Sequence, residues 1–266
     1  MIKLFVTDID NTLTEQSFTA PQPNLDAMAR AKDAGVYVTV ATGRGYLGAS
    51  EIIDAVRPNC PVICYGGAII ADARTAKPVF VSQISNALVQ EVLSLAEEMR
   101  IHAHIYQGDT IISETDDCYT RRYVEKLHLP VQIDPALRQR VWYDVPKVLW
   151  ITTEAEAARV IPMARARFAG RLKVSGSSPG FVEFNTLGVD KGTAVERLAA
   201  HLGVAREEVA AIGDNTLDLE MIEWAGLGAA VSDGKESVKA AADVITPACA
   251  DCGVAWLIDE YILKGR

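Results

Sequence analysis

The stretch LFVTDIDNTLT, residues 4–14, decides how this chain is read. A short apolar run, Leu4 to Val6, ends in two aspartates, Asp8 and Asp10, one residue apart. A run of that length bounded by polar residues suits a buried strand. Like charges so close together repel, and a buried strand end is a costly place for them unless a cation or a function holds them there. Taken alone, an Asp-x-Asp does no more than cap a turn. Its meaning depends on what the rest of the chain brings to the same place.

Working outward, strand and helix patterns alternate. A polar, proline-containing segment runs from Ser17 to Pro23. Residues 24–34 then place Leu25, Met28, Ala29 and Ala31 at helical spacing, and Gly35 suits a helix stop. VYVTVAT (36–42) reads as a second strand, 46–56 as a helix and PVICY (61–65) as a third strand. This rhythm predicts a parallel sheet with helical crossovers. It resumes late in the chain with a helix over 192–202, strand VAAIGD (209–214) and a helix over 216–225. Strand LGAAV (227–231), a helix over 235–241, strand DVIT (243–246) and a helix over 253–263 complete it. The middle differs: helical patterns over 86–99, 117–126 and 154–168 lie among the short strands HAHIY, TIIS, KVLWITT, LKVSG and FVEFN. The expected organisation is an α/β, Rossmann-like parallel-sheet core built from 1–81 and 186–266. An α+β domain, 82–185, interrupts it, with crossings near 81–83 and 185–190.

Composition narrows the function. The 266 residues are 49% apolar and 23% charged, as in an ordinary globular protein. A net charge of −9 without a basic stripe argues against nucleic acid and anionic membrane surfaces. No apolar run approaches the ~18 residues of a membrane span. The N-terminal apolar run is too short for a signal peptide, so a cytoplasmic protein, monomer or homodimer, is expected. Cys249-Ala-Asp-Cys252 lacks the second pair that a zinc ribbon needs and reads as free thiols.

Open parallel sheets bind ligands beyond the carboxyl ends of their strands. The strand ends here carry Asp8, Asp10 and Thr12, then Thr42, Gly43 and Arg44, then Asp214, Asn215 and Asp218, with Asp190 and Lys191 opening the second half of the core. Three or four carboxylates in one crevice call for a hard cation, and Mg²⁺ takes oxygen ligands while keeping positions for phosphate oxygens. A lysine and a threonine can hold the remaining oxygens. One carboxylate can attack phosphorus, and a second, two residues on, can protonate the leaving oxygen and then activate water.

These segments, in this order, resemble the motifs of the haloacid dehalogenase-like (HAD) phosphohydrolases. DIDNT is similar to their D-x-D-x-T, VTVATGR to the second motif, Lys191 to the third and GDNTLD to the fourth. The insertion between the second and third motifs is similar to the cap of the type IIB, or Cof-type, subfamily. The resemblance implies a Mg²⁺-dependent phosphatase acting on a small phosphorylated metabolite, a sugar phosphate first, through an aspartyl-phosphate. Asp8 would be nucleophile and metal ligand. Asp10 would be general acid/base, ligating the metal through its backbone carbonyl. Asp214 would be a further ligand, with Asp218 either ligating the metal directly or supporting the ligands from behind. Thr42 and Lys191 would bind phosphate, with Gly43 and Arg44 beside them and Asn185 and Glu183 where the insertion returns. A lid of this kind excludes water and selects the leaving group. The same motifs serve phosphotransferases and mutases. Three positions depart from the motifs: Asn11 stands in place of glycine, which turn geometry tolerates, while Leu217 in place of asparagine (with Asn215 nearby) and Gly66 in place of asparagine also suit a catalytically weak metabolite-binding protein. His102 and His104 alternate along a strand and read as a pair on a sheet surface, and Trp142, Tyr143 and Trp150 as core or edge of the insertion.

Overall fold

In the computed structural model the described residues are 1–15, 19–127, 129–176 and 178–264; Ser17, where the polar segment begins, lies outside them. The chain forms two compact units, Met1–Phe80 with Asp190–Arg266, and Val81–Val189. The second crossing falls after Val189 for a local reason. The last strand of the inserted unit runs through Thr186, and Val189 N–H bonds back to the Thr186 carbonyl at 3.1 Å, closing a turn. Asp190, the next residue, already caps a helix of the first unit.

The first unit begins with β1 (Leu4–Thr7), α1 (Gln22–Asp33), β2 (Tyr37–Val40), α2 (Tyr46–Val56), β3 (Val62–Cys64), β4 (Ile69–Ala71) and all but the last residue of β5 (Pro78–Val81). The inserted unit holds α3 (Asn86–Glu98), β6 (His102–Gln107), β7 (Thr110–Ser113), α4 (Cys118–Leu127), β8 (Val131–Ile133), β9 (Val148–Ile151), α5 (Glu154–Arg167), β10 (Leu172–Ser175) and β11 (Phe181–Thr186). The first unit resumes with α6 (Lys191–Leu202), β12 (Val209–Gly213), α7 (Leu219–Trp224), β13 (Leu227–Val231), α8 (Glu236–Ala241), β14 (Val244–Thr246) and α9 (Gly253–Leu257).

The main sheet has the order β14-β13-β12-β1-β2, and its four neighbouring pairs are all parallel. All four residues of β1 are buried, as a central parallel strand covered on both faces requires. Leu4 and Val6 pack with Val209, Ala211 and Ala230 against Ala194, Val195 and Leu198 of α6 and Met221 and Ile222 of α7. Buried Asn24 ties other parts together: its amide donates to the Leu13 carbonyl, and its carbonyl accepts from Ala255 N–H of α9.

One sequence expectation is corrected here. PVICY does form a strand, but β3 meets the parallel sheet only through a single bridge, Ala41 to Ile63. It belongs instead to a three-stranded sheet, β3-β4-β5, and pairs antiparallel with β4. The turn between β3 and β4 brings three consecutive residues to positive φ: Tyr65 at 52°, Gly66 at 63° and Gly67 at 104°. A Cβ on Gly67 would lie 2.2 Å from the Asp190 carbonyl oxygen, so only glycine lets the turn approach the start of α6. Gly67→Ala is expected to cost about 2–3 kcal/mol, through overpacking and backbone strain. Urea unfolding measures it, and an unchanged midpoint would contradict the close approach.

The inserted unit is a six-stranded sheet, β10-β11-β9-β6-β7-β8, antiparallel except between β7 and β8. One face carries Ile105, Val148, Trp150, Val182 and Phe184, packed with Val89 and Val92 of α3 and Val160 and Ala164 of α5. Trp142 and Trp150 are core, whereas Tyr143 is exposed. The opposite face carries His102, His104 and Tyr106. These histidines do share a face, but they are not a surface pair: His104 is fully buried, with its ring 5.2 Å from Tyr123 of α4. The Asp117 carboxylate accepts from His102 Nδ1 at 2.8 Å, and His102 Nε2 lies 3.1 Å from His104 Nδ1.

Burial lowers the pKa of both rings, most strongly at His104, where His102 and Lys147 add to the effect; the Asp117 carboxylate opposes it. The unfolded chain therefore binds these protons more readily than the folded one. Stability from the pair is complete above the ordinary histidine value, about 6.5, and is lost as the pH falls below it. Amide exchange in β6 and α4 is expected to accelerate between about pH 7 and 5. Protection that stays constant across that range, after correction for intrinsic rates, would contradict this. Among the described residues, no helix is long and apolar enough to cross a membrane.

Candidate active site

The site is assembled at the carboxyl edge of the main sheet. β1 is central, between β2 and β12, so the residue after it lies between the ends of its neighbours. Asp8 N–H continues the ladder to the Ile212 carbonyl at 3.0 Å, and Ala41 N–H bonds to the Thr7 carbonyl at 2.9 Å. Thr42 follows β2, Asp214 follows β12, and all three residues are buried.

Lys191 reaches this edge from the first position of α6. Asp190 caps that helix by accepting from Thr193 N–H at 2.8 Å, while the Thr193 hydroxyl closes the capping box. The buried Lys191 Nζ is 2.5 Å from Asp8 Oδ1 and 2.5 Å from Asp218 Oδ1. Asp218 Oδ2 accepts from the N–H groups of Asp214 and Asn215, at 3.1 and 2.9 Å. Asp218 thus fixes the loop and the lysine together. The Thr12 hydroxyl donates to Asp214 Oδ1 at 3.1 Å. Oxygens of Asp8, Asp214 and Asp218 all lie within 4.8 Å of one another.

The electrostatics follow from burial and crowding. Burial raises the Asp8 pKa well above the ordinary carboxylate range, and Asp218, Asp214 and Asp10 raise it further, against the pull of Lys191. Asp214 is pushed up to about 6 by burial and by Asp218, against the Thr12 hydrogen bond and Lys191. Burial works against the Lys191 charge, but Asp218 and Asp8 outweigh it and raise its pKa. The cluster holds more negative charge than one lysine offsets. Its donors are all hard oxygens, the set that suits Mg²⁺.

Asp10 sits differently. It lies beyond β1 in a turn in which Asn11 has φ of 61°, so the asparagine occupies a left-handed position that glycine or asparagine adopts readily. The Asp10 carboxylate is outside the three-aspartate group; the role expected for it at a metal concerns its backbone carbonyl. Its side chain faces Arg44, which donates from Nη2 to Oδ1 at 2.5 Å and from Nε to Oδ2 at 3.0 Å.

The second-motif loop is braced by the β3–β4 turn. Gly66 N–H donates to the Thr42 carbonyl at 2.9 Å and Tyr65 N–H to the Arg44 carbonyl at 2.8 Å. Gly66 therefore has a backbone task in a left-handed position. The Thr42 hydroxyl accepts from Arg44 N–H at 3.1 Å, and Gly43 forms the bend between them. Asn215 does not take over from an asparagine at position 217: its Oδ1 is held by Thr216 and by Lys235 Nζ at 2.9 Å. Leu217 is half-buried. Asn185 belongs to the inserted unit, where its amide donates to the Pro146 carbonyl at 3.4 Å, and Glu183 pairs with buried Lys147 at 3.3 Å. Cys249 and Cys252 form no disulfide, and burial, with Asp233, pushes the Cys249 thiol up to about 12.

Sequence reasoning missed three supports: the amide clamp by Asp218, the Thr12–Asp214 bond and Lys235. Lys235 N–H donates to the Asp214 carbonyl at 2.8 Å, so this residue grips the fourth-motif loop twice. Thr12 was visible as part of D-x-D-x-T; Lys235 had no local signal.

The parallel α/β core thus gathers clustered acids and a buried lysine at one edge of its sheet. A sequence model of the haloacid dehalogenase-like hydrolases matches residues 5–258, and the chain belongs to that family. It is 29% identical over 268 residues to the Bacillus subtilis (strain 168) protein named "Putative phosphatase YxeH", covering 99% of each chain. It is 27% identical over 266 residues to 5-amino-6-(5-phospho-D-ribitylamino)uracil phosphatase YcsE of the same organism, covering 98% of this chain and 96% of the other. The fold matches the crystal structure of a haloacid dehalogenase-like hydrolase from Bacteroides thetaiotaomicron with a TM-score of 0.87 and 27% identity, over 97% of this chain and 99% of that one.

Proposed function

We propose that this protein is a Mg²⁺-dependent phosphatase that hydrolyses a small phosphorylated metabolite through a phosphoryl group carried on Asp8. The observation that carries this reading is the position of Lys191, bridging Asp8 and Asp218, with Asp214 in reach of both. A carboxylate that must act as a nucleophile toward a phosphate dianion needs neighbouring positive charge, and one buried lysine is not enough for three aspartates. Asp8, Asp214 and the Asp10 carbonyl would hold the ion, with Asp218 behind them. When bound, Mg²⁺ supplies charge to the phosphoryl oxygens and relieves the repulsion among the carboxylates.

The protein groups account for the remaining chemistry. An Asp8 oxygen attacks phosphorus as the bond to the ester oxygen breaks, and Asp10 gives that oxygen a proton. Asp10, now ionised, takes a proton from water as the water oxygen attacks the phosphoryl group. Inorganic phosphate leaves and the Asp8 carboxylate is restored. Lys191 and the Thr42 hydroxyl hold phosphoryl oxygens through both steps. The inserted unit is the cap in this reading. The phosphorylated ribityl chain in the name of the YcsE relative supports a sugar or polyol phosphate as the first substrate class to test.

The test is phosphate release from p-nitrophenyl phosphate with and without EDTA. Activity is expected to vanish on chelation and to return with Mg²⁺; undiminished turnover in EDTA contradicts the proposal. The pH dependence has a defined sign. Metal binding favours ionised carboxylates, so Mg²⁺ affinity is expected to fall as the pH drops through the Asp214 value of about 6. Calorimetric titrations across that range measure it, and an affinity that rises on acidification would contradict the assignment of Asp214 as a ligand.

A further inference from the structure

The Asp10–Arg44 pair has a feature that phosphate binding does not require. Both Asp10 oxygens are engaged by one guanidinium in a planar fork, Nη2 to Oδ1 and Nε to Oδ2, while Arg44 Nη1 donates to the Gly48 carbonyl of α2 at 3.1 Å. Arg44 is the anchored member, its side chain 10% exposed against 38% for Asp10. Its backbone is fixed as well, by Tyr65 N–H on its carbonyl and by the Thr42 hydroxyl on its own N–H. An arginine fork fixes the plane and the direction of a carboxylate, which a lysine point charge does not. The turn that carries Asp10 is itself closed by backbone bonds, with Asn11 N–H on the Thr14 carbonyl at 2.7 Å and Thr14 N–H on the Ile9 carbonyl at 3.0 Å, so the backbone is set locally and the Arg44 fork sets where the carboxyl points.

We infer that Arg44 is a positioning residue for Asp10: it aims the acid/base carboxyl, and it links that aim to the Thr42 phosphate contact through the single turn 42–44. The inference rests on the assignment of Asp10 as acid/base in the proposed reaction. Its chemical consequence is selectivity by leaving group. Protonation of the departing oxygen matters most for esters of weakly acidic alcohols and phenols and least where the leaving group is a stable anion. A residue acting through Asp10 should therefore affect poor leaving groups; a residue that grips the phosphate should affect all substrates alike.

The experiment compares phenyl phosphate, a poor leaving group, with p-nitrophenyl phosphate, a good one, using kcat/KM for the full-length protein with Mg²⁺. The variants are Arg44→Gln, Arg44→Lys, Asp10→Asn and the double variant Asp10→Asn/Arg44→Gln. Both Arg44 variants are expected to lose about 10²-fold on phenyl phosphate and only a few-fold on p-nitrophenyl phosphate. The double variant should be no slower than Asp10→Asn, because the two residues act as one unit. Arg44→Lys keeps the charge without the fork, so it separates aim from charge if Arg44→Gln fails to fold. Equal losses on both substrates, no loss on either, or additive losses in the double variant would overturn the inference while leaving the reaction intact. An Asp10→Asn variant that shows no leaving-group dependence overturns the acid/base assignment itself, and this inference with it.

Discussion

Asp8→Asn is expected to abolish Mg²⁺-dependent phosphate release, by about three orders of magnitude or more, while the protein stays folded. Asparagine fills the same space, and its carbonyl still accepts from Lys191. What it lacks is a nucleophilic oxygen, since an amide oxygen cannot form the acyl phosphate. The substitution also removes one charge from a buried cluster whose crowding raises the Asp8 and Asp214 pKa values. The metal-free variant should therefore be no less stable than the parent at neutral pH. A steady-state assay with p-nitrophenyl phosphate, paired with urea unfolding, separates the two consequences. Substantial residual turnover in a folded, uncontaminated variant would rule out Asp8 as the nucleophile.

Lys191→Met is expected to have the largest effect on stability. The lysine is buried between Asp8 and Asp218, and methionine of similar length leaves those carboxylates without their cation. Removing one partner of a buried ion pair costs about 3–5 kcal/mol, because the opposite charge remains buried. Loss of a charge that stabilises the transferred phosphoryl group costs a further 10²–10³-fold, roughly, in kcat. The pH dependence identifies the cause. Carboxyls whose folded pKa is raised above the unfolded value favour the folded state while protonated and weaken it as they ionise. The deficit of the metal-free variant should shrink as the pH falls below the Asp214 value of about 6. Urea unfolding at several pH values measures this, and a deficit independent of pH would assign the loss to packing.

Much of the site was legible because its residues follow apolar runs. Asp8 and Asp214 come directly after strands of one parallel sheet and Thr42 two residues after another, and such a sheet brings residues distant in sequence to one edge. Lys191 was legible from its motif, not from its neighbourhood. The supports were harder to see. Arg44 and Asp10 are separated by 34 residues, and no local pattern says that one arginine will fork onto one carboxylate. The third strand shows a different gap. The apolar content of PVICY indicates an extended segment, but partner choice depended on β4 and β5, which are only three and four residues long. The exposure of Val79, Phe80 and Val81 gives β5 no buried-strand signature. β8, three exposed residues after Pro130, was missed for the same reason. For His102 and His104, alternation placed both rings on one face correctly. Their burial depends on α4, whose Tyr119 and Tyr123 lie against them.

The central claim is that phosphorus passes through a covalent bond to Asp8. The stereochemical course at phosphorus tests it most directly, using a phosphorothioate ester made chiral with oxygen isotopes and hydrolysed in isotopically labelled water. Transfer to Asp8 and then to water is two in-line displacements, so the account predicts net retention of configuration. Net inversion would mean a single direct attack by water and would contradict it.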